Sequence, residues 1–433
     1  MKLPKRIHMV GIGGIGMSAL AQYLVHTGHV ISGEDREESP TTQLLEAQGI
    51  DVSIGHTEHD DAKMHIYSDA IPGDHPARLY AQQADIAELS YFEALGEVTE
   101  RARTIAVAGT HGKTTTTGML AQILVHAGKE PTAIVGSIVR DFHPAGQTGK
   151  TGGSNFLPGS PDLFVVEACE YRDHLLKLSP KILVITNLEL DHTDYFPSIE
   201  ALQETFRAAV RKVPHDGAII TDPNDPVIAN VLDAAIATVV DYTGTHVPAL
   251  SQIGEFNKQN ARAAKTAAKV AFPDLGEEMI DEALVHFHGS WRRFEYRGET
   301  PRGALVYDDY AHHPTSVEKT ITAAREKFQG KRIVVAFHPH LYSRTRSFFE
   351  EFANALARAD RAYVAPIYAA REISDVSVSS ELLAERAREV GGDVTALSSF
   401  DLIREKLLEE DENSIIITMG AGDIYKVAEQ IAD

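Results

Sequence analysis

Cysteine is almost missing from this chain: Cys169 is the only one in 433 residues, which excludes an intrachain disulfide. Long apolar runs are missing too. Nowhere do about 18 apolar residues follow one another, so no membrane span is expected. The opening stretch MKLPKRIHMVGIGGIG lacks an apolar segment followed by a cleavage site, so the expected compartment is the cytoplasm. Positive charge is in short supply, with 41 Lys and Arg against 62 Asp and Glu and a net charge of -21. Duplex nucleic acid, which needs a basic face, is therefore not an expected partner. An anionic small substrate stays possible, but its site must be local: a helix N-terminus, a few cations or a metal ion.

What is present is the material for several cores. Hydrophobic residues make up 43% and charged residues 24% of the chain. The length suggests two to four domains at roughly 100–200 residues each. Short apolar runs alternate with amphipathic helical stretches, the α/β pattern. Three zones separate, 1–99, 100–297 and 298–433. The first opens with a strand over residues 6–10, a glycine-rich turn, a helix over 15–26 and a second strand over 29–32. The second has a strand over 104–108, a helix from 113 to about 126, buried strands over 163–166 and 182–185, and helices within 255–288. The third has strands over 304–307, 332–337, 362–365 and 415–418. The Gly- and Pro-rich stretch 297–303 reads as a hinge or turn.

Two glycine-rich loops follow predicted strands. Gly11-Ile12-Gly13-Gly14-Ile15-Gly16 fits G-x-G-x-x-G, and Asp35 ends the next strand where a ribose-binding acid sits. That turn suits a dinucleotide, another nucleotide diphosphate, or no ligand at all. Ala108-Gly109-Thr110-His111-Gly112-Lys113-Thr114 is a compact phosphate loop, with Val107 where the usual first glycine stands. Its backbone N–H groups suit phosphates, Lys113 the β/γ-phosphate charge, and the Thr114 hydroxyl a Mg²⁺ ion. The run Thr114–Thr117 holds poor helix formers, so helix propensity does not explain it.

Acids and histidines follow the later strands. Glu167 ends an apolar run and is the best oxygen ligand for Mg²⁺, with Glu170 second. The run 187–194 adds acids and His192 after the next strand, at the same sheet edge if the strands are parallel. Asp308-Asp309-Tyr310-Ala311-His312-His313 and the segment from His338 to Arg346 follow two more. So many histidines admit a zinc site, though their spacing matches no standard ligand pattern. Arg344 and Arg346, two residues apart, suit bidentate binding of a carboxylate, or are plain surface charges.

Taken together, AGTHGKTTTT, VVEACE, NLELDHTDYF, HGSWRRFE, DDYAHHPTSV and HLYSRTR resemble, in their order, the Mur ligase family of peptidoglycan synthesis. The likeness spans all three zones. It implies an ATP- and Mg²⁺-dependent ligase of three domains: an N-terminal Rossmann-like UDP-substrate domain, a central P-loop ATPase-like α/β domain, and a C-terminal Rossmann-like amino-acid domain. GIGGIGMSALA, DDYAHHPT and the RTR pair point within the family to the branch that couples alanine to UDP-N-acetylmuramate. The likeness implies a small amino acid: alanine, glycine or serine.

By the same likeness, Gly11, Gly13, Gly14, Ile15, Gly16 and Met17 hold the UDP pyrophosphate, with Asp35 and Ser68 nearby. Gly109, Thr110, His111, Gly112, Lys113, Thr114 and Thr115 hold ATP, joined by Asn257, Asn260, Arg293, Asp309 and His312. Lys113, Glu167 and His192 form the catalytic set, and Thr114, Glu167 and His192 the metal ligands. Arg344 and Arg346 hold the amino-acid carboxylate. The chain departs from the family at Cys169, Phe256, His338, Leu341 and Arg371, mostly in the third zone. The implied chemistry is transfer of the γ-phosphoryl group to the muramoyl carboxylate and attack of an amine on the acyl phosphate, with closure around Gly298 to exclude water. Alternatives are a sister ligase that attaches a recycled peptide, a nicotinamide-dependent oxidoreductase built on the first zone, and a silent nucleotide-binding regulator. The expected assembly is a monomer or dimer.

Overall fold

The computed structural model describes residues 3–56, 61–142, 153–370 and 372–432, so Arg371 lies outside the described residues. The chain divides into two compact units. One comprises Met1–Leu188, Leu202–Ala249 and Asn260–His288, the other Glu189–Ala201, Leu250–Gln259 and Gly289–Asp433.

The first unit carries two sheets. Strands β1 (Arg6–Val10), β2 (Val30–Asp35), β3 (Asp51–Ile54), β4 (Met64–Tyr67) and β5 (Ala87–Ser90) form a parallel sheet in the order β3-β2-β1-β4-β5. The order in which strands are added reverses at β1, which opens a crevice at the carboxyl ends of β1 and β4, where such sheets bind ligands. The second sheet has β6 (Arg103–Ala108), β7 (Pro131–Val139), β8 (Ser154–Leu157), β9 (Ser160–Glu167), β10 (Ile182–Ile185), β11 (Ala218–Thr221) and β12 (Thr238–Asp241), ordered β12-β11-β10-β6-β9-β7-β8. Among the described residues of this sheet, only β8 runs antiparallel to its neighbour. Strand β10, the later part of β6 and residues 163–166 of β9 are buried apolar runs, as expected of parallel strands covered on both faces.

The helix Ile15–His26 ties the two sheets together. Asn155 on β8 donates to the Ile15 carbonyl and to Ser18 Oγ (3.1 Å), and Gln22 donates back to Asn155 (3.4 Å). Tyr23 meets Phe156 and Phe164 edge-on, at 6.5 and 5.5 Å between ring centres. These polar side chains are buried, so each must be satisfied by the others.

The other unit is built on β13 (Glu295–Glu299), β14 (Leu305–Asp309), β15 (Arg332–Phe337), β16 (Arg361–Val364), β17 (Val394–Ala396) and β18 (Ser414–Met419), ordered β13-β14-β18-β15-β16-β17. The period of two sorts its core. Ile333, Val335, Phe337, Ile415 and Ile417 face one apolar cluster, while Val334, Ala336 and Ile416 face the other. The stretch 297–303 contains the turn that its Gly and Pro residues suggest. Its first three residues end β13, which pairs antiparallel with β14, and Thr300–Gly303 makes the turn between them. Gly298, at φ +142, sits at a register shift within β13, so the expected boundary after residue 297 cuts a paired strand. Glycine there serves a bulge.

Candidate functional site

The N-terminal turn is held from below. Gly11 N–H (2.8 Å) and Ile12 N–H (3.1 Å) donate to the Glu34 carbonyl, and Gly13 N–H donates to the Asp35 carboxylate (2.8 Å). Asp35 also receives Arg36 N–H at 2.7 Å, so it braces the turn. Ser68 stands against Gly11: a Cβ on that glycine would lie 3.2 Å from the Ser68 Cβ. Gly14 caps the helix with no side-chain bond, which leaves the N–H groups of Ile15, Gly16 and Met17 to an anion. The Met17 side chain itself is buried. A Cβ on Gly16 would fall 2.7–3.0 Å from the ring and hydroxyl of Tyr91, so a side chain there would have to displace the phenol.

The phosphate loop leaves β6 and enters the helix Lys113–His126. Gly109 (φ +127) and Gly112 (φ +83) take conformations that other residues rarely adopt. There is no room for a side chain either, since a Cβ would meet Thr186 Oγ1 or Asn260 Oδ1 at 2.2 Å. Asn260 thus abuts the loop, while Asn257, one helical turn earlier, donates to the Ile253 carbonyl at 2.8 Å. Asn187, which sequence reasoning did not single out, braces the loop. It accepts from Thr110 N–H (3.0 Å) and His111 N–H (2.9 Å) and donates to the His111 carbonyl (3.0 Å). The N–H groups of Thr110 and His111 are thus both bonded to Asn187. The donors facing outward are those of the first helical turn, Lys113, Thr114 and Thr115.

Lys113 Nζ donates to Glu170 Oε1 (2.9 Å) and to the carbonyls of Gly109 and Thr110. Burial would lower its pKa, but Glu170, Cys169 and Glu167 outweigh that and raise it, so the ammonium stays charged. Parallel pairing of β6 with β9 sets Val107 opposite Glu167, which brings that carboxylate to the loop edge. Glu167 accepts from Thr114 Oγ1 (3.1 Å) and from Gly136 N–H (2.8 Å). The Cys169 thiol is pushed up to about 12, by burial first and then by Glu170. It is a neutral filler, not a nucleophile.

In the other unit the residues after β14 and β15 meet the run that holds His192. Asp191 Oδ1 accepts from Arg344 Nε (3.0 Å) and Nη2 (2.8 Å), both residues being buried. Burial would raise the Asp191 carboxyl. Arg344, then His192, His312 and His313, outweigh it and hold it well below the usual carboxylate range. Arg344 Nη1 also meets His340 Nδ1 at 3.2 Å. His312 joins this cluster, 6.4 Å from His340 between ring centres, with its Nδ1 on the Tyr310 carbonyl (2.8 Å). Burial and then Arg344 push it well below the usual imidazole value. His340 is lowered to about 4 for the same two reasons.

Arg346 does not join Arg344. It is exposed and pairs with Asp375. Residues two apart on a helix point about 200° away from each other, so the expected two-arginine clamp is not formed. His192, at φ +51, donates its N–H to Asp191 at 2.7 Å. Asp309 is buried and accepts from Phe294 N–H and Ala311 N–H, each at 2.7 Å. Burial raises it to about 6 against the pull of Arg293. The neighbouring Arg292, overlooked in the sequence, is wholly buried. It donates to Asp308 (2.6 Å) and to the carbonyls of Gly420 (2.6 Å) and Gly422 (3.0 Å), between Trp291, Tyr310 and Tyr425.

Comparison with known proteins agrees along the chain. Three family models match: "Mur ligase family, catalytic domain" over residues 6–103, "Mur ligase middle domain" over 107–247, and "Mur ligase, glutamate ligase domain" over 292–422. A UDP-N-acetylmuramate–L-alanine ligase of Clostridium novyi is 36% identical, with 99% of this chain and 97% of that protein covered. The solved UDP-N-acetylmuramate–alanine ligase of Thermotoga maritima matches with a TM-score of 0.79 at 26% identity, covering 98% of each chain. A murein peptide ligase of Psychrobacter arcticus shares the fold, at a TM-score of 0.69 and 23% identity over 99% of this chain and 100% of that one.

Proposed function

This chain belongs to the Mur ligase family, and we propose that it joins L-alanine to the carboxylate of UDP-N-acetylmuramate, using ATP and passing through an acyl phosphate. The observation that carries the reading is the placement of Lys113 and Glu167. A charged ammonium and an oriented carboxylate stand at the mouth of a phosphate loop, in the unit that also holds the diphosphate-type turn Gly11–Gly16. Full-length likeness to alanine-adding ligases supports the choice of substrates.

ATP would lie with its phosphates on the N–H groups of Lys113–Thr115. The Lys113 ammonium meets the charge that grows on the γ-phosphoryl oxygens. A carboxylate oxygen of the muramoyl group forms the new bond to phosphorus as the bond to ADP breaks. The alanine amine then attacks the acyl carbon, and phosphate leaves with that oxygen. A Mg²⁺ ion suits the donors present, since Thr114 and Glu167 offer the hard oxygens it prefers. When bound it would supply positive charge to offset the negative charge of the phosphates. His192 is read from the family likeness as a ligand for a second ion. Arg344, fixed by Asp191 and flanked by His312 and His340, is the better of the two arginines for the amino-acid carboxylate. ATP and UDP-linked substrates support a cytoplasmic location.

Phosphate release should require ATP, UDP-N-acetylmuramate and alanine together. Lys113→Ala should lower it by roughly 100- to 1000-fold or more, while UDP-substrate binding, measured by calorimetry, stays near wild type. Undiminished turnover in that variant would remove the loop from the chemistry.

A further inference from the structure

Tyr91 takes no part in the mechanism above, yet it stands at the centre of the first unit's site. It is the first residue of the helix Tyr91–Thr99, whose start is fixed by Ser90. Ser90 Oγ accepts from Glu93 N–H (3.3 Å), and Glu93 accepts from Ser90 N–H (3.0 Å), a reciprocal cap. The cap aims the phenol at Gly16, the last glycine of the diphosphate turn. A Cβ there would come within 2.9 Å of the Tyr91 hydroxyl oxygen. Glu167, at the phosphate-loop edge, and Asp69, just past Ser68, are close enough to act on the phenol electrostatically. The hydroxyl therefore lies between the turn that reads a diphosphate and the edge that reads ATP.

Among the described residues none hydrogen-bonds to that hydroxyl, although Tyr91 is only partly exposed. A tyrosine whose ring is largely buried usually finds a partner for its O–H. The ring is packed, at 4.7 Å from Phe92, which in turn stacks on His174 at 3.6 Å between centres. A rigid donor with no protein acceptor, between two anion sites, is arranged for an anionic oxygen of a substrate that spans them. Under the ligase reading, on which this inference rests, the group that must pass from the turn towards the γ-phosphate is the muramoyl carboxylate.

We propose that Tyr91 is a substrate-binding residue whose hydroxyl donates to the carboxylate of UDP-N-acetylmuramate, holding it between the Gly11–Gly16 turn and Lys113. It selects for the acidic side chain of the sugar and not for the nucleotide.

Tyr91→Phe tests this, because it keeps the ring against Gly16 and removes only the donor. Calorimetry should show UDP-N-acetylmuramate binding weakened by roughly 10-fold or more, the range for losing a hydrogen bond to a charged group. UDP-N-acetylglucosamine, which lacks the carboxylate, should bind the variant and the wild type alike. The KM for ATP and the melting temperature should stay put. Equal weakening for both sugars, or none for either, overturns the proposal. Phosphate release by the wild type, measured alongside, fails only if the ligase reading fails.

Discussion

At Asp309 the chain buries a carboxylate that accepts two backbone N–H groups and still has its pKa raised to about 6 from the ordinary 3.8. Burial is the main cause, only partly offset by Arg293. A raised carboxyl pKa means that the folded chain holds the proton more tightly than the unfolded one. The stabilising effect is full below about pH 4 and is lost as pH climbs through about 6, by up to about 3 kcal/mol for a shift of this size. Asp309→Asn cannot titrate. The stability of that variant relative to wild type should therefore rise by about that amount between pH 4 and pH 7, read from urea midpoints. A difference that stays flat with pH would contradict the burial of an ionising group there. Single residues were also where the sequence was most misleading. The spacing of Arg344 and Arg346 suggested a clamp, but a helix turns the second away from the first. What Arg344 does depends on Asp191, 153 positions earlier, and no local pattern carries such a pairing.

Elements were far more legible. The helices Ile15–His26 and Lys113–His126 and the strands β1, β10 and β15 lie where apolar periodicity and glycine turns place them. Strands β3, β5 and β12 escaped notice because they are short and half exposed, without a clear apolar run. In β7, Pro131 and Gly136 interrupt the run, and Pro131 is accommodated because it opens the strand. The bracing of elements by distant side chains was out of reach as well. Asn187 holds the phosphate loop, and Asn155 holds the helix that begins at the N-terminal turn. Asn155→Ala strips Ser18 and Gln22 of a buried partner and should cost about 1–3 kcal/mol. If the turn at that helix N-terminus holds the UDP substrate, affinity for UDP-N-acetylmuramate should fall more than affinity for ATP. Unchanged denaturant midpoints would show that the network does not hold the helix.

For the whole molecule, the sequence announced three α/β zones and a ligase family, and both hold. Sheet order was not in the sequence, since buried strands look alike wherever they are inserted. The order explains why an acidic chain of net charge -21 can use anionic substrates. Parallel strands bring helix N-termini and loops to one edge, and there Lys113 works against a local field and not the global one. The central claim is that the muramoyl carboxylate is activated as an acyl phosphate at this edge. It is tested most directly by isotope transfer. With ¹⁸O in the carboxylate of UDP-N-acetylmuramate, ATP and alanine, mass spectrometry of the released phosphate should find one ¹⁸O atom carried over in each turnover. Phosphate free of the label, with product formed, would contradict the account.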